Sequence, residues 1–413
     1  METSDHRSRQ RRSSTEIRLW DQKIHAFVDP DLPNMATQDS PEGSLQTVTV
    51  GVKDIIDVAG IPTRNGSATC ERAAAAEEDA AVVAALRAAG ATLLGKTTTT
   101  EFAFTDPTDC RNPYDLNRSP GGSSSGSGAA VAAGILDAAL GTQTAGSLCR
   151  PAAYCGAVGF KPSYGVLPMR GVTPLAPSFD TLGVITRSVD LSERMFQAIR
   201  SESSISPAKE AGACITCSLL LDTTTDVADN TMAAFHEAAT VLGHSLSKTQ
   251  APGLPIDPAR VVSDHRIVMN YEAFAAHGHL LAEETARLLK PKFKAGLEAG
   301  AGISATARQA ALDRLAKARE VFWASMKEVD AILALPVPDG APLIDGTTGF
   351  QDWLTPWTVF GGPLLCLPWG LDTFGRPKSV MLAGHPKEDA TLLAVAKLLE
   401  AKAPDLPLPV LPA

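Results

Sequence analysis

Residues 120–146 read PGGSSSGSGAAVAAGILDAALGTQTAG, and how this stretch is read decides the fold. By composition its first nine residues look like a flexible linker. The residues after them contradict that. Residues 129–133 have helical character, 135–140 read as a strand, and 141–146 form a second glycine-containing turn. A flexible linker does not sit between two tight α/β elements. The glycines therefore mark shaped turns, where the missing Cβ lets backbone N–H groups converge on one point.

On the N-terminal side, alternation over 45–52 predicts a strand leading into Lys53 and Asp54. An Ala-rich helix lies over 79–89, stopped by Gly90, with a short strand after it over 91–94. Residues 16–28 place Ile17, Trp20, Ile24 and Phe27 at helical spacing behind Ser14 and Thr15. Downstream, helices are expected over 189–199 and 227–242, with a strand over 213–221. A long helical segment over 260–327 is interrupted around 290–304. Strands over 331–335, 364–367 and 379–383 precede a closing helix over 390–401. This alternation predicts an α/β fold: one large domain, with a mixed, mainly parallel twisted β-sheet flanked by helices on both faces. The expected boundaries are a tail and helix at 1–44, the domain at 45–405 and a tail at 406–413. Within the domain, 45–190 carry the chemistry and 260–327 are a helical excursion.

The chain has 413 residues, 44% apolar and 20% charged, enough for a sizeable core and unlike a disordered protein or a small disulfide scaffold. A net charge of -9 argues against a nucleic-acid partner. No apolar run approaches the ~20 residues of a membrane span. Arg7, Arg9, Arg11 and Arg12 are followed by no apolar segment, so a frayed tail is expected rather than a secretory signal. Seven scattered cysteines suit a reducing compartment, and a cytoplasmic location is expected. Cys214 and Cys217 have CxxC spacing, but they fall in an expected buried strand, whereas the redox motif opens a helix. No Cys/His group has zinc-finger spacing, and no metal is expected.

Three clusters carry chemistry: GVKD at 51–54, GGSSSGS at 121–127 and GTQTAGS at 141–147. A serine hydroxyl needs a base to act as a nucleophile at neutral pH. The histidines are scattered, and none sits in a Gly-rich turn. Lysine serves when burial disfavours its charged form. The bland alternative for Lys53 is a lysine snorkelling from a strand end. Gly/Ser turns also cradle phosphates, but neither turn matches GxxxxGK[ST] or GxGxxG, so no nucleotide or other cofactor is expected.

Taken together, the three clusters resemble the amidase signature family of serine hydrolases. The likeness runs through residues 51–57, 95–99, 119–134 and 141–162. It covers the first 190 residues and is looser beyond, at 331–336 and 389–393. Within the family, GKTTTT (95–100), DPT (106–108), PGGSSSGS (120–127) and GTQTAGSLCRPAAYCG (141–156) are nearest in motif to the bacterial malonamidase subgroup. The usual family form has Asp where this chain has Gln143. It also has Arg two residues after the serine, where this chain has Cys149 and then Arg150. The subgroup shares both departures.

The resemblance implies a Ser-cisSer-Lys triad, with Ser147 as nucleophile, Ser123 as bridge and neutral Lys53 as base. It implies an oxyanion hole of backbone N–H groups from Thr144, Ala145, Gly146 and Ser147. Ser124 and Thr142 are expected to hydrogen-bond this network. Gln143 either contacts the substrate pocket or closes the loop. Arg150 either binds a substrate carboxylate through its bidentate fork or pairs with a nearby carboxylate of the protein. The implied activity is hydrolysis of a linear C–N amide bond of a small substrate through an acyl-enzyme, with a carboxylated amide such as malonamate as one substrate type. The alternatives are a carbamate (urethane) or aryl-amide hydrolase with the same triad, and an amidotransferase subunit feeding ammonia to a partner. Family likeness points to a homodimer. His265, His277 and His279 are expected in surface or capping roles. Trp353, Trp357 and Phe360 either border the substrate channel or pack in the core.

Overall fold

The alternating run ahead of Lys53 forms a strand because its apolar residues are covered from both sides. The computed structural model describes residues 12–29, 42–201, 206–207, 215–220, 226–245, 247–250 and 255–411. In chain order the strands are β1 (Thr49–Lys53), β2 (Thr92–Thr97), β3 (Ala138–Gln143), β4 (Val158–Lys161), β5 (Thr181–Thr186), β6 (Thr216–Leu219), β7 (Ser247–Gln250), β8 (Ala331–Ala334), β9 (Leu364–Leu371) and β10 (Pro377–Gly384). Among the described residues they make one sheet of order β2-β1-β3-β5-β4-β9-β10-β8-β6-β7.

The expected mixed sheet is present. Its two wings, β2-β1-β3 and β8-β6-β7, are parallel. The pairings between them, from β3 to β8, are antiparallel. The connections explain this. Parallel neighbours need a crossover, and the helices Ala81–Ala88 and Asp229–Ser245 supply it between β1 and β2 and between β6 and β7. In contrast, β9 and β10 form a hairpin that turns through Gly375, whose φ is 76°. Strands β3, β4, β5 and β8 are buried at every position, as helices covering both faces require.

The helix expected over 129–133 starts earlier, inside the Gly/Ser run, and spans Ser125–Ala132 with every residue buried. Close approach explains the glycines. A Cβ on Gly126 would lie 2.1 Å from the Ala26 carbonyl oxygen, so only glycine lets this helix rest on that backbone. The helix expected over 16–28 ends at Ile24, because His25 turns left-handed and Phe27 bridges to Thr97. Strands β4, β5 and β7 have no counterpart among the expected elements. The excursion resolves into helices Pro258–His277, Glu283–Ala286, Pro291–Ala301 and Ala305–Ser325. The interruption expected around 290–304 is mostly helix, and the longer break falls at 278–290, where the chain makes short helical turns. Cys217 is buried in β6, whereas Cys214 lies outside the described residues, as does the tail 1–11. No described helix is long and apolar enough to cross a membrane.

Candidate active site

Strand β1 ends on Lys53, whose side chain is wholly buried. Lys53 Nζ lies 2.7 Å from Ser123 Oγ and 2.7 Å from Thr142 Oγ1. It has no ion pair among the described residues. Burial pushes its pKa from 10.5 down to about 7, against a smaller upward pull from the Asp180 carboxylate. The snorkelling alternative does not fit, since the ammonium reaches no solvent.

Ser123 follows a cis peptide bond from Gly122. Its neighbour joins the two Gly-rich turns: Ser124 N–H donates to the Ser147 carbonyl at 3.1 Å. Ser124 Oγ also accepts from Thr142 N–H at 3.2 Å and donates to the Thr142 carbonyl at 3.3 Å. Ser124 and Thr142 therefore brace the surroundings of Lys53, and both are buried.

The second turn comes directly after β3. Here the carbonyls are held and the amides are not. The Thr144 carbonyl meets His265 Nε2 at 2.8 Å, the Ala145 carbonyl accepts from Thr358 Oγ1, and the Gly146 carbonyl accepts from Arg150 N–H at 3.1 Å. The N–H groups of Ala145, Gly146 and Ser147 donate to no acceptor among the described residues. The Ser147 hydroxyl likewise has no partner among them, and Ser147 keeps 6% exposure.

Gln143 closes this loop. Its Oε1 accepts from Leu148 N–H at 3.1 Å and Cys149 N–H at 3.0 Å, and its Nε2 donates to Thr358 Oγ1 at 2.9 Å. Arg150 sits on the next helix, Cys149–Cys155, at 1% exposure. Its Nη2 donates to the Gly122 carbonyl at 2.7 Å and lies 3.4 Å from Thr348 Oγ1. Its Nε and Nη1 are buried with no partner. No protein carboxylate pairs with it among the described residues. Burial lowers its pKa to about 10. Thr348 also lines a cavity of about 200 Å³, together with Arg266, Lys292, Phe350 and Asp352 among others.

Four residues that no sequence pattern marks correctly complete the site. Asp180 accepts from Thr144 Oγ1 at 2.6 Å and from the Leu175 and Ala176 N–H groups at 2.8 and 2.9 Å. Burial raises its pKa, opposed by those bonds. Thr348 and Thr358 reach the site from the far half of the chain. His265 is not at the surface as expected. It is buried against Phe179, ring centroids 4.3 Å apart, and burial lowers its pKa to about 4. His277 is buried too, whereas His279 is exposed. Trp353 and Phe360 pack in the core: Trp353 Nε1 donates to the Leu335 carbonyl, and Phe360 stacks on Phe322.

Known proteins share both the sequence of this region and the fold around it. A sequence profile described as Amidase matches residues 30–214. A glutamyl-tRNA(Gln) amidotransferase subunit of Anaeromyxobacter sp. (strain K) is 41% identical over 160 residues, 37% of this chain and 32% of that protein. The chain thus spans about a third of the length of that curated relative. Over the whole fold, a solved amidase is 28% identical with a TM-score of 0.80, covering 94% of both chains. The solved glutamyl-tRNA(Gln) amidotransferase subunit from Thermotoga maritima is 26% identical with a TM-score of 0.81, covering 95% of this chain and 92% of that one.

Proposed function

We propose that the chain is an amidohydrolase of the amidase signature family in which Ser147, Ser123 and Lys53 cleave a C–N bond through an acyl-enzyme. The observation that carries this reading is Lys53 Nζ at 2.7 Å from Ser123 Oγ, wholly buried and without an ion pair among the described residues. About half of the lysines so placed are neutral at pH 7 and can accept a proton.

In the first half-reaction Ser147 Oγ attacks the carbonyl carbon and forms a C–O bond. Its proton moves to Ser123 Oγ as Ser123 passes its own to Lys53 Nζ. The carbonyl oxygen becomes an oxyanion, and the N–H groups of Ala145, Gly146 and Ser147 receive it. The proton returns through Ser123 to the leaving nitrogen, the C–N bond breaks, and the amine departs. Water then attacks the acyl-enzyme along the same path. It loses its proton to Lys53, and the proton returns to Ser147 as the acid leaves.

The substrate we propose is a small amide bearing a carboxylate, of malonamate type. Arg150 supports this: a buried guanidinium with two unpartnered nitrogens costs several kcal/mol unless an anion meets it. A homodimer and a cytoplasmic location belong to the same proposal, the first on family likeness and the second on the free cysteines.

The test is a hydrolysis panel of malonamate-like half-amides, neutral aliphatic amides, anilides and carbamates, read as ammonia or amine release. The half-amides should show the highest kcat/KM. A preference for neutral amides or carbamates would overturn the carboxylate part, and no turnover of any member would overturn the hydrolase reading.

A further inference from the structure

We propose that Thr358 and His265 are positioning residues of the oxyanion hole, and that Gln143 sets the direction of the Thr358 hydroxyl. This rests on the hydrolase reading above and deepens it. Thr358 and His265 both lie outside residues 30–214, the part that matches the family profile.

A trans peptide is planar, and the C=O of one residue and the N–H of the next point opposite ways within that plane. Holding the carbonyl therefore aims the amide. His265 Nε2 holds the Thr144 carbonyl at 2.8 Å, which turns the Ala145 N–H to the other side. Thr358 Oγ1 holds the Ala145 carbonyl, which does the same for the Gly146 N–H. Arg150 N–H holds the Gly146 carbonyl at 3.1 Å and so aims the Ser147 N–H. Three successive planes thus have anchored carbonyls and amides with no acceptor among the described residues. Donors fixed in this way cost no reorganisation when negative charge develops. Two of the three anchors are side chains, on the helices Pro258–His277 and Thr355–Phe360.

The hydrogens in this network have one assignment. The N–H groups of Leu148 and Cys149 only donate, so the atom of Gln143 facing them is its oxygen. Its NH₂ therefore faces Thr358 and donates at 2.9 Å. Thr358 accepts that hydrogen, so its own single hydrogen goes to the Ala145 carbonyl, which only accepts. By the same logic His265 Nε2 carries a hydrogen toward the Thr144 carbonyl. Neutral imidazole suits this site, because burial lowers the pKa of His265 to about 4. A glutamate carboxylate at position 143, as long as the native amide and one methylene longer than aspartate, would keep the bonds from Leu148 and Cys149. It would also draw the Thr358 hydrogen to itself and release the Ala145 carbonyl.

The experiment compares Gln143→Glu, Thr358→Val, Thr358→Ser, His265→Phe and His265→Gln in the full chain, with malonamate as substrate. Phenylboronic acid, which forms a tetrahedral adduct with a serine nucleophile, serves as the transition-state probe. Active sites are counted by fluorophosphonate labelling. Gln143→Glu and Thr358→Val should each lower kcat per labelled site by about 10²-fold. KM should stay unchanged, and phenylboronic acid should bind more weakly by a similar factor. Thr358→Ser and His265→Gln keep a donor and should recover most of kcat, whereas His265→Phe should not. Gln143→Glu/Thr358→Val should be no worse than Thr358→Val alone, since both act through one bond. A merely structural role predicts otherwise: fewer labelled sites and a lower Tm, with kcat per site and boronate affinity at wild-type values. That result in Gln143→Glu, which matches the native side chain in shape, would overturn the inference while leaving the hydrolase reading intact. A wild type that hydrolyses no member of the amide panel would bring down both.

Discussion

The base is the most exposed part of the mechanism, because it makes a lysine titrate where lysines ordinarily do not. Burial sets the Lys53 pKa at about 7. Half of the amines are then neutral at pH 7, against about 0.03% for a lysine at its ordinary value, a gain of roughly 10³-fold in usable base. The assay is kcat/KM for malonamate between pH 5 and pH 9.5. Below the inflection the rate should rise about tenfold per pH unit, and above it the rate should level off. Lys53→Arg tests the cause. A guanidinium stays charged throughout this range, so activity should fall by about 10²–10⁴-fold and the inflection should vanish. A rate still climbing about tenfold per unit up to pH 9.5, a flat profile, or an unchanged profile in Lys53→Arg would show that Lys53 is not the base.

Buried charge has two more measurable consequences. Arg150→Ala should lower kcat/KM for malonamate by about 10²-fold or more, as expected for truncating one side of a buried ion pair, with much less effect on a neutral aliphatic amide. Equal losses on both substrates would assign Arg150 to structure alone. Lys53→Met should raise stability, and more so at low pH. Below about pH 7 the folded protein carries a buried ammonium, while the unfolded lysine holds its proton up to about 10.5. The unfolded state therefore binds more protons between these values, and this residue's contribution to stability rises with pH across that window. Methionine has no such dependence, so its advantage over wild type in urea melts should shrink by about 3 kcal/mol from pH 6 to pH 9.5. An advantage that does not change with pH would contradict the assignment.

The parts of the site that are legible in sequence are those that are local. Lys53 ends a strand whose alternation shows in the residues just before it. Ser123 and Ser147 sit in turns whose glycines stand between recognisable elements. Closing the loop is one of the two roles the sequence allows Gln143, and both ends of its side chain have partners there. The anchors of the second turn are not legible. Thr358 meets the Ala145 carbonyl across 213 positions of chain and His265 meets the Thr144 carbonyl across 121, and no local pattern marks either. A histidine on a predicted helix looks like a surface residue until the tertiary packing against Phe179 is known. Among the strands, β4 is short and its VGFK sequence has no clear alternation. The β-branched residues of β5 (TLGVIT) are a readable signal for a buried strand, though a run of that length gives no periodicity. The antiparallel middle of the sheet includes two connections without helices, β4 to β5 and β9 to β10, which strand–helix alternation does not reveal.

The mechanism stands or falls with Ser147 as the nucleophile, activated through Ser123 by Lys53. The most direct measurement is labelling with a fluorophosphonate, followed by peptide mass spectrometry, in the wild type, Ser147→Ala and Lys53→Met. One covalent adduct is expected, on Ser147, absent in Ser147→Ala and formed far more slowly in Lys53→Met. An adduct on a different residue, or amide hydrolysis that survives in Ser147→Ala, would contradict this mechanism.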